Sequence, residues 1–216
     1  MRWIGTTALI AAGLLATAAQ NAMPTPDAVI ADLKAGNAHH VAKKYQRPNQ
    51  TAERQQALAN GQHPHCVILT CADSRVPPEL IFDQGLGDVF DIRVAGNVAG
   101  NDEIASIEYA AEHLSVPVVV VMGHTKCGAV EAAVKGGEVH GHLPDLLAAI
   151  RPAVERTKGQ PGDPIDNAVR AHVENSVAAL RGSKPVLADL VTKGKLRIVG
   201  AVYSIETGKV EWLPAK

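Results

Sequence analysis

Two short clusters of polar residues combine thiol, imidazole, carboxylate and guanidinium groups at close spacing. The first runs from Cys71 through Asp73 to Arg75, and the second places Cys127 three residues after His124. Two thiolates and one imidazole form a donor set that suits zinc. A catalytic zinc keeps three protein ligands and one open position, so Cys71, His124 and Cys127 predict a catalytic site with one Zn²⁺ per chain.

The fourth position of this site has two candidate ligands, a water molecule and the carboxylate of Asp73. Asp73 is only two residues from Cys71. Cys66 is the one further cysteine, and in an extended strand it lies ~16 Å from Cys71 and on the opposite face. We therefore do not expect Cys66 to complete the site. A helical turn beginning at His124 would direct His124 and Cys127 to one point.

Apolar, strand-like runs lead into both clusters. Residues 66–70 precede the first, residues 116–122 precede the second, and further runs cover residues 89–94 and 196–203. Strands that are apolar on both faces and alternate with helices indicate a parallel sheet that is covered on both sides. The carboxyl ends of such strands are where open α/β sheets place their sites.

The predicted fold is α/β, with a central, mostly parallel sheet of four strands and helices on both faces. Thr207-Gly208 marks a hairpin, after which residues 209–213 form an antiparallel edge strand. Helices are predicted over residues 26–45, 52–59, 102–113, 143–156 and 165–180. We expect a single domain over residues 20–216, in which residues 26–60 form an N-terminal helical arm.

The first 19 residues have the pattern of a signal peptide. Arg2 precedes an uncharged stretch over residues 4–19, which is shorter than the ~20 residues of a spanning helix. Small residues allow cleavage at about Ala18 or Ala19, and an uncleaved anchor is the alternative. The sequence therefore predicts an exported, periplasmic protein that has no stable membrane association after cleavage.

Composition argues against nucleic acid and anionic lipid as partners and against a disulfide framework. Lysine and arginine number 21 and aspartate and glutamate 22, for a formal net charge of −1. Without a basic excess, nucleic acid and anionic lipid are not expected as partners. Three cysteines cannot all pair within one exported chain, which argues against a disulfide framework.

The two clusters resemble the two signatures of the β-class carbonic anhydrases, Cys-x-Asp-Ser-Arg and His-x-x-Cys-Gly. The resemblance covers nearly the whole mature chain and includes these further segments: Gly61-Gln62, residues 93–97, residues 106–110 and residues 200–213. It implies a zinc lyase (EC 4.2.1.1) that reversibly hydrates carbon dioxide to bicarbonate and a proton through zinc-bound hydroxide. Cys71, His124 and Cys127 would hold the zinc.

The resemblance also implies roles for residues around the metal. Asp73 would accept the hydrogen of the hydroxide while Arg75 holds Asp73 away from the metal, and Asp73 would become the fourth ligand in a closed state if that pair broke. The amide of Gln62 would bind bicarbonate, and three residues would line the substrate pocket: Phe90, Tyr109 and Gly128. In the family Gln62 and the two aromatic residues reach the site from a neighbouring subunit, which implies a homodimer or homotetramer.

Some residues that the resemblance singles out have other possible roles. Phe90 and Tyr109 fit plain core packing equally well. A tryptophan of the family's regulatory bicarbonate pocket is replaced by Ile68, so we expect that pocket to be absent although Arg93 matches its arginine. The remaining histidines are expected on the surface or in loops, and His140 or His142 could shuttle protons.

Two other functions are compatible with the same metal ligands. A carbon disulfide or carbonyl sulfide hydrolase of this fold would use the same zinc chemistry. A non-enzymatic zinc or thiol protein would need Cys71 and Cys127 but would have no use for Asp73, Arg75 and Gln62.

Overall fold

The computed structural model describes residues 23–214. The predicted signal peptide, residues 1–19, lies outside the described residues. Within the described part of the chain, no helix is long and apolar enough to cross a membrane.

Five strands form one sheet with the spatial order β2-β1-β3-β4-β5. All neighbours are parallel except β4 and β5, which pair antiparallel. This arrangement confirms the predicted four-stranded parallel sheet with an antiparallel edge strand. The strand bounds are β1 Cys66–Thr70, β2 Val89–Arg93, β3 Val118–His124, β4 Arg197–Tyr203 and β5 Val210–Trp212.

Eight α-helices are found in the described residues, and five of them match predicted helices with shifted ends. Three short helices, α3, α5 and α8, lie where the sequence pattern predicts none. The helix bounds are α1 Pro26–Ala42, α2 Ala52–Ala57, α3 Pro78–Ile81, α4 Asn101–His113, α5 Gly128–Lys135, α6 Leu143–Thr157, α7 Pro164–Gly182 and α8 Val186–Thr192.

Local capping fixes where the two longest helices begin. The Thr25 side chain accepts a hydrogen bond from the Ala28 N–H at the start of α1. Asp163 accepts from the N–H groups of Ile165 and Asp166 at the start of α7. In both helices a proline occupies the first turn, where its missing N–H leaves no helical bond unmade.

Alternate residues of β1 point to opposite faces of the sheet, and both faces are covered. Val67 and Leu69 belong to a core that also contains side chains of α4, α7 and α8. Cys66 and Ile68 belong to a second core, which is formed with α1 and the segment around Phe82. The all-buried pattern of β1 and β3 is what a sheet covered on both faces requires.

Two glycines let α7 approach the middle of the sheet. A Cβ atom at Gly123 would lie 2.8 Å from a methyl carbon of Val173, and one at Gly200 would lie 2.9 Å from the other. Real side chains do not tolerate such distances, so β3 and β4 need glycine at these positions. The close contact fixes the height of α7 above the carboxyl end of β3.

The strand order reverses between β1 and β3. The chain passes from β1 to β2 on one side, and β3 then lies on the other side of β1. Such a reversal opens a crevice at the carboxyl ends of the two strands, which is where ligands bind in open α/β sheets. Both polar clusters follow strands that end at this crevice.

Candidate metal centre

The three predicted zinc ligands converge at the crevice between β1 and β3. Cys71 directly follows β1, His124 is the last residue of β3, and Cys127 precedes α5. Their sulfur and nitrogen donor atoms all lie within 4.8 Å of one another. All three residues are buried, with 5%, 0% and 1% of their surface exposed, respectively. The chain's three cysteines are all free thiols.

The second cluster is brought together by a tight turn and not by the expected helical turn. Thr125 and Lys126 form the turn, and Lys126 takes a left-handed backbone conformation with φ of 55°. Glu206, from the β4–β5 hairpin, supports this turn: it accepts a hydrogen bond from the Thr125 hydroxyl at 2.9 Å and pairs with the Lys126 ammonium at 2.6 Å. The spacing of His124 and Cys127 alone gives no sign of this support.

The imidazole of His124 is oriented so that one nitrogen is free for a metal. Its Nδ1 lies 2.9 Å from the carbonyl oxygen of Thr125, which can only accept, so Nδ1 carries the proton. Its Nε2 is buried and has no hydrogen-bond partner. A buried nitrogen lone pair without a partner is costly, and a metal ion is the kind of ligand that satisfies it.

The side chains of Cys71 and Cys127 contact each other, and this contact shifts their pKa values in opposite directions. Hydrogen bonds from the Cys127 thiol and, at 3.3 Å, from the Gly96 N–H hold the pKa of Cys71 below its usual range. The same contact with Cys71, and burial, raise the pKa of Cys127 above its usual range. The arrangement therefore favours the thiolate form of Cys71, which is the form that binds metal.

The spacing of the three donors fits a zinc ion. With Zn–S near 2.3 Å and Zn–N near 2.0–2.1 Å, neighbouring donors around zinc lie about 3.5–4 Å apart. The observed spacing within 4.8 Å requires only a small inward shift. The donor set, its burial and the unpartnered Nε2 of His124 fit zinc with three protein ligands.

Asp73 and Arg75 form a bidentate ion pair beside the three donors. Arg75 Nε donates to Asp73 Oδ1 at 2.9 Å, and Arg75 Nη2 donates to Asp73 Oδ2 at 2.6 Å. Arg75 also donates its backbone N–H to Oδ1. These bonds hold the pKa of Asp73 well below its usual range. Asp73 Oδ2 lies 4.0 Å from His124 Nε2, so a charged carboxylate faces the metal centre.

Gln62 does not reach this centre within one chain. It is exposed and precedes the amino end of β1, whereas Cys71 follows the carboxyl end. The five residues of β1 alone span ~16 Å. A role for Gln62 at the metal would require a second copy of the chain.

Phe90 and Tyr109 form an aromatic contact that is only partly in the core. Their ring centroids are 6.3 Å apart, and Phe90 packs against the core beneath α4. Tyr109 is 49% exposed, which plain core packing does not explain. Gly128 begins α5 next to Cys127, and a Cβ atom there would meet nothing within 4 Å.

Two histidines that were expected on the surface or in loops are buried, and that prediction is wrong for them. His40, in α1, lies 3.2 Å from the hydroxyl of Tyr203. His172, in α7, is 3% exposed and lies 3.0 Å from the carbonyl oxygen of Gly96. Helical periodicity places both residues on the inward faces of their helices. Because histidine is polar, the sequence pattern does not identify them as core residues. His140 and His142 are exposed.

Comparison with known proteins supports one family. The profile of the family described as "Carbonic anhydrase" matches residues 66–210. The chain is 39% identical over 193 residues to Carbonic anhydrase 2 of Mycobacterium tuberculosis, with 87% of this chain and 93% of that protein covered. It is 40% identical over 195 residues to a carbonic anhydrase of Mycolicibacterium smegmatis, covering 88% and 95%.

Solved structures extend the comparison to the fold. The β-carbonic anhydrase CafA of Aspergillus fumigatus aligns with a TM-score of 0.68 and 34% identity, covering 84% of this chain and 89% of that one. A tetrameric β-carbonic anhydrase of Sordaria macrospora aligns with a TM-score of 0.70 and 25% identity, covering 88% and 98%. With the convergent Cys-His-Cys donors and the five-stranded sheet, these matches show that the chain belongs to the β-class carbonic anhydrase family.

Proposed function

We propose that this protein is a zinc-dependent enzyme that reversibly hydrates carbon dioxide to bicarbonate and a proton, with one zinc per chain. The observation that carries the proposal is the convergence of three buried donors, Cys71, His124 and Cys127, beside an intact Asp73–Arg75 pair. Membership of the carbonic anhydrase family supports the same reaction. A passive metal store would have no need for the ion pair.

When bound, the zinc would make a water molecule more acidic. In carbonic anhydrases that hold the metal by three histidines, the pKa of that water falls from about 15.7 to about 7. The chain's own residues do the remaining work. Arg75 engages both carboxylate oxygens of Asp73, but Oδ2 accepts only one of these bonds and keeps a further lone pair. Asp73 accepts the hydrogen of the reacting oxygen and so directs the lone pair of that oxygen at the carbon.

Arg75 keeps Asp73 ionised and in place. Its guanidinium also donates to the Lys126 carbonyl at 3.3 Å, which ties the first cluster to the turn of the second. A closed state, in which Asp73 is the fourth metal ligand, would require these bonds to break. Gln62 of a partner chain would donate its amide N–H to an oxygen of bicarbonate, and Phe90, Tyr109 and Gly128 would wall the substrate pocket.

The assembly follows from the proposed role of Gln62. Gln62 can serve a metal centre only across a subunit contact, so the working unit is a homodimer or a homotetramer.

Residues 1–19 would direct export to the periplasm and be removed at about Ala18 or Ala19. Amino-terminal sequencing of the mature protein from a periplasmic fraction would support export, and an intact Met1 in the cytoplasm would contradict it.

The test of activity is stopped-flow carbon dioxide hydration with the metal content measured on the same sample. We expect one zinc per chain, rapid hydration above pH 8 and slower hydration at pH 7. Chelation should abolish the activity and added zinc should restore it. A zinc-loaded protein that is inactive at both pH values but hydrolyses carbonyl sulfide would replace the proposal with the sulfur-substrate reaction, and inactivity toward both would indicate a passive zinc site.

A further inference from the structure

Arg93 is the last residue of β2, and its side chain reaches across to the loop that carries the first polar cluster. Its Nε donates to the carbonyl oxygen of Cys71 at 3.1 Å. Its Nη2 donates to the carbonyl oxygen of Asp73 at 2.6 Å. One guanidinium thus holds the backbone of a metal ligand and of the residue that orients the reacting oxygen.

Backbone pairing continues between β1 and β2 just past the two strands and sets this geometry. Arg93 pairs with Thr70 in the parallel register. The Val94 N–H donates to the Thr70 carbonyl, and the Ala72 N–H donates to the Val94 carbonyl, both at 3.2 Å. The loop therefore leaves the sheet alongside Arg93, within reach of its side chain.

We propose that Arg93 is a positioning residue of the metal centre, which fixes the Cys71–Asp73 loop through its two carbonyl contacts. This inference rests on the proposed zinc site but not on the identity of the substrate. Arg75 holds Asp73 by its carboxylate, and Arg93 holds it by its carbonyl, so two arginines from different segments fix both ends of one residue. Groups that orient metal ligands from behind are worth about 10–100-fold in metal affinity or activity.

The chemistry of the contact selects arginine over lysine. A guanidinium presents several N–H groups in a planar fork and can bond two carbonyl oxygens at once. A lysine ammonium is a single point at the end of a flexible chain and would keep one of the two contacts at most. We therefore expect Arg93→Lys to lose part of the hydrogen bonding to the two carbonyls and Arg93→Gln to lose more of it.

Arg181 offers a matched control. It donates Nε and Nη2 to the carbonyl of Ile198, at 3.2 and 2.7 Å, in a part of the sheet away from the metal centre. Arg181→Gln removes the same kind of bond from guanidinium to backbone. If the loss of such a bond had only a general effect on the fold, zinc release would therefore change equally in Arg93→Gln and Arg181→Gln.

The first readout is the rate at which the zinc-loaded protein loses zinc to a chromogenic chelator. We expect Arg93→Gln to lose zinc at least about 10-fold faster than the wild type, Arg93→Lys to fall between them, and Arg181→Gln to match the wild type. The second readout is the visible spectrum of the cobalt(II)-substituted protein, which reports ligand geometry. We expect its bands to shift in Arg93→Gln and not in Arg181→Gln.

Wild-type zinc release and unshifted cobalt bands in Arg93→Gln would overturn the proposal. So would equal changes in Arg93→Gln and Arg181→Gln, which would reduce Arg93 to a general stabilising role. Neither readout requires carbon dioxide turnover. A wild type that does not hydrate carbon dioxide, together with faster zinc loss in Arg93→Gln, would remove the proposed function and keep this inference.

Discussion

Each residue of the metal centre is held by a neighbour that also sets its chemical state. The Thr125 carbonyl fixes the tautomer of His124, and the Gly96 N–H stabilises the thiolate of Cys71. The position of Gly96 requires glycine for two reasons: its φ of 69° is left-handed, and a Cβ atom there would lie 2.8 Å from Ile150 Cδ1. The ligands are thus oriented before a metal arrives, which lowers the cost of ordering them on binding.

Asp73→Asn tests whether Asp73 orients the reacting oxygen or holds the metal. Asparagine keeps the size of the side chain but replaces one acceptor oxygen with a donor, so it cannot accept both Arg75 bonds. We expect about one zinc per chain and turnover lowered by about 100-fold or more.

The measurements for Asp73→Asn are metal content and stopped-flow hydration on the same preparation. Asp145→Asn is the matched control, since Asp145 is exposed in the first turn of α6. Near-full turnover in Asp73→Asn would remove Asp73 from the mechanism, and loss of zinc would make it a ligand.

Cys66→Ser should leave the metal content unchanged. Cys66 packs in the core on the α1 side of the sheet, whereas Cys71 and Cys127 belong to a separate cluster around α5 and α6. Burial raises the pKa of the Cys66 thiol above its usual range, so it stays protonated and unsuited to a metal.

The comparison variant is Cys127→Ser, which we expect to lose most of its zinc. Atomic absorption on both purified variants gives the result directly. Zinc loss in Cys66→Ser together with zinc retention in Cys127→Ser would mean that the ligands are misassigned.

At the scale of the elements, the sequence predicts strands better than short helices. Residues 66–70 form a strand with the predicted bounds because five consecutive buried residues suit a sheet covered on both faces. Helix α3 has four residues, too few for a periodic pattern. The turn at Lys126 depends on Glu206, 80 residues later in the chain, and such a long-range contact leaves no local signal.

The sequence also predicts the three metal donors but not what holds them. Cys71, His124 and Cys127 are recognisable by residue type and by the strands that precede them. Arg93 and His172 act through backbone carbonyls, and a contact with a carbonyl places no demand on the type of the residue contacted. Such supporting residues become visible only when the strands are in register.

Helix α7 gives the molecule a pH-dependent contribution to stability through His172. Burial lowers the pKa of His172 below its usual value, so the unfolded chain binds that proton more readily than the folded chain. Its contribution to stability is therefore complete above about pH 6.5 and declines as pH falls below that value. One proton limits this slope to about 1.4 kcal/mol per pH unit.

His172→Gln should reduce the loss of unfolding free energy between pH 7.5 and pH 5.5. Glutamine keeps an N–H donor for the Gly96 carbonyl but does not titrate. Urea unfolding of the zinc-loaded protein measures the effect, with His140→Gln as the control because His140 is exposed in a loop. An equal decline in wild type and His172→Gln would contradict the assignment.

At the scale of the whole molecule, the proposed role of Gln62 requires a metal centre that is built from two chains. Asp73 and the metal donors lie at the carboxyl edge of the sheet, and Gln62 lies before the amino end of β1. The half-exposed Tyr109, with Phe90 and His113 beside it, presents an aromatic surface on α4. A second copy of the chain that packs against this one would cover the aromatic surface and could bring its Gln62 to the metal donors.

Mixing two inactive variants tests whether Gln62 acts across the subunit contact. Gln62→Ala and Asp73→Asn should each lower hydration strongly in a pure assembly. In a mixed pair, one site loses both residues, but the other combines Asp73 of one chain with Gln62 of its partner. Random pairing of equal amounts should therefore restore about a quarter of wild-type activity.

The restoration should appear only when the subunits can exchange, as in coexpression, and not when purified assemblies are combined without exchange. Each variant expressed alone gives one baseline. If Gln62 served its own chain, every site in the mixture would still lack one residue and the activity would stay at the mean of the two baselines. The gain on coexpression thus reports whether each site is built from two chains, independently of whether the assembly is a dimer or a tetramer.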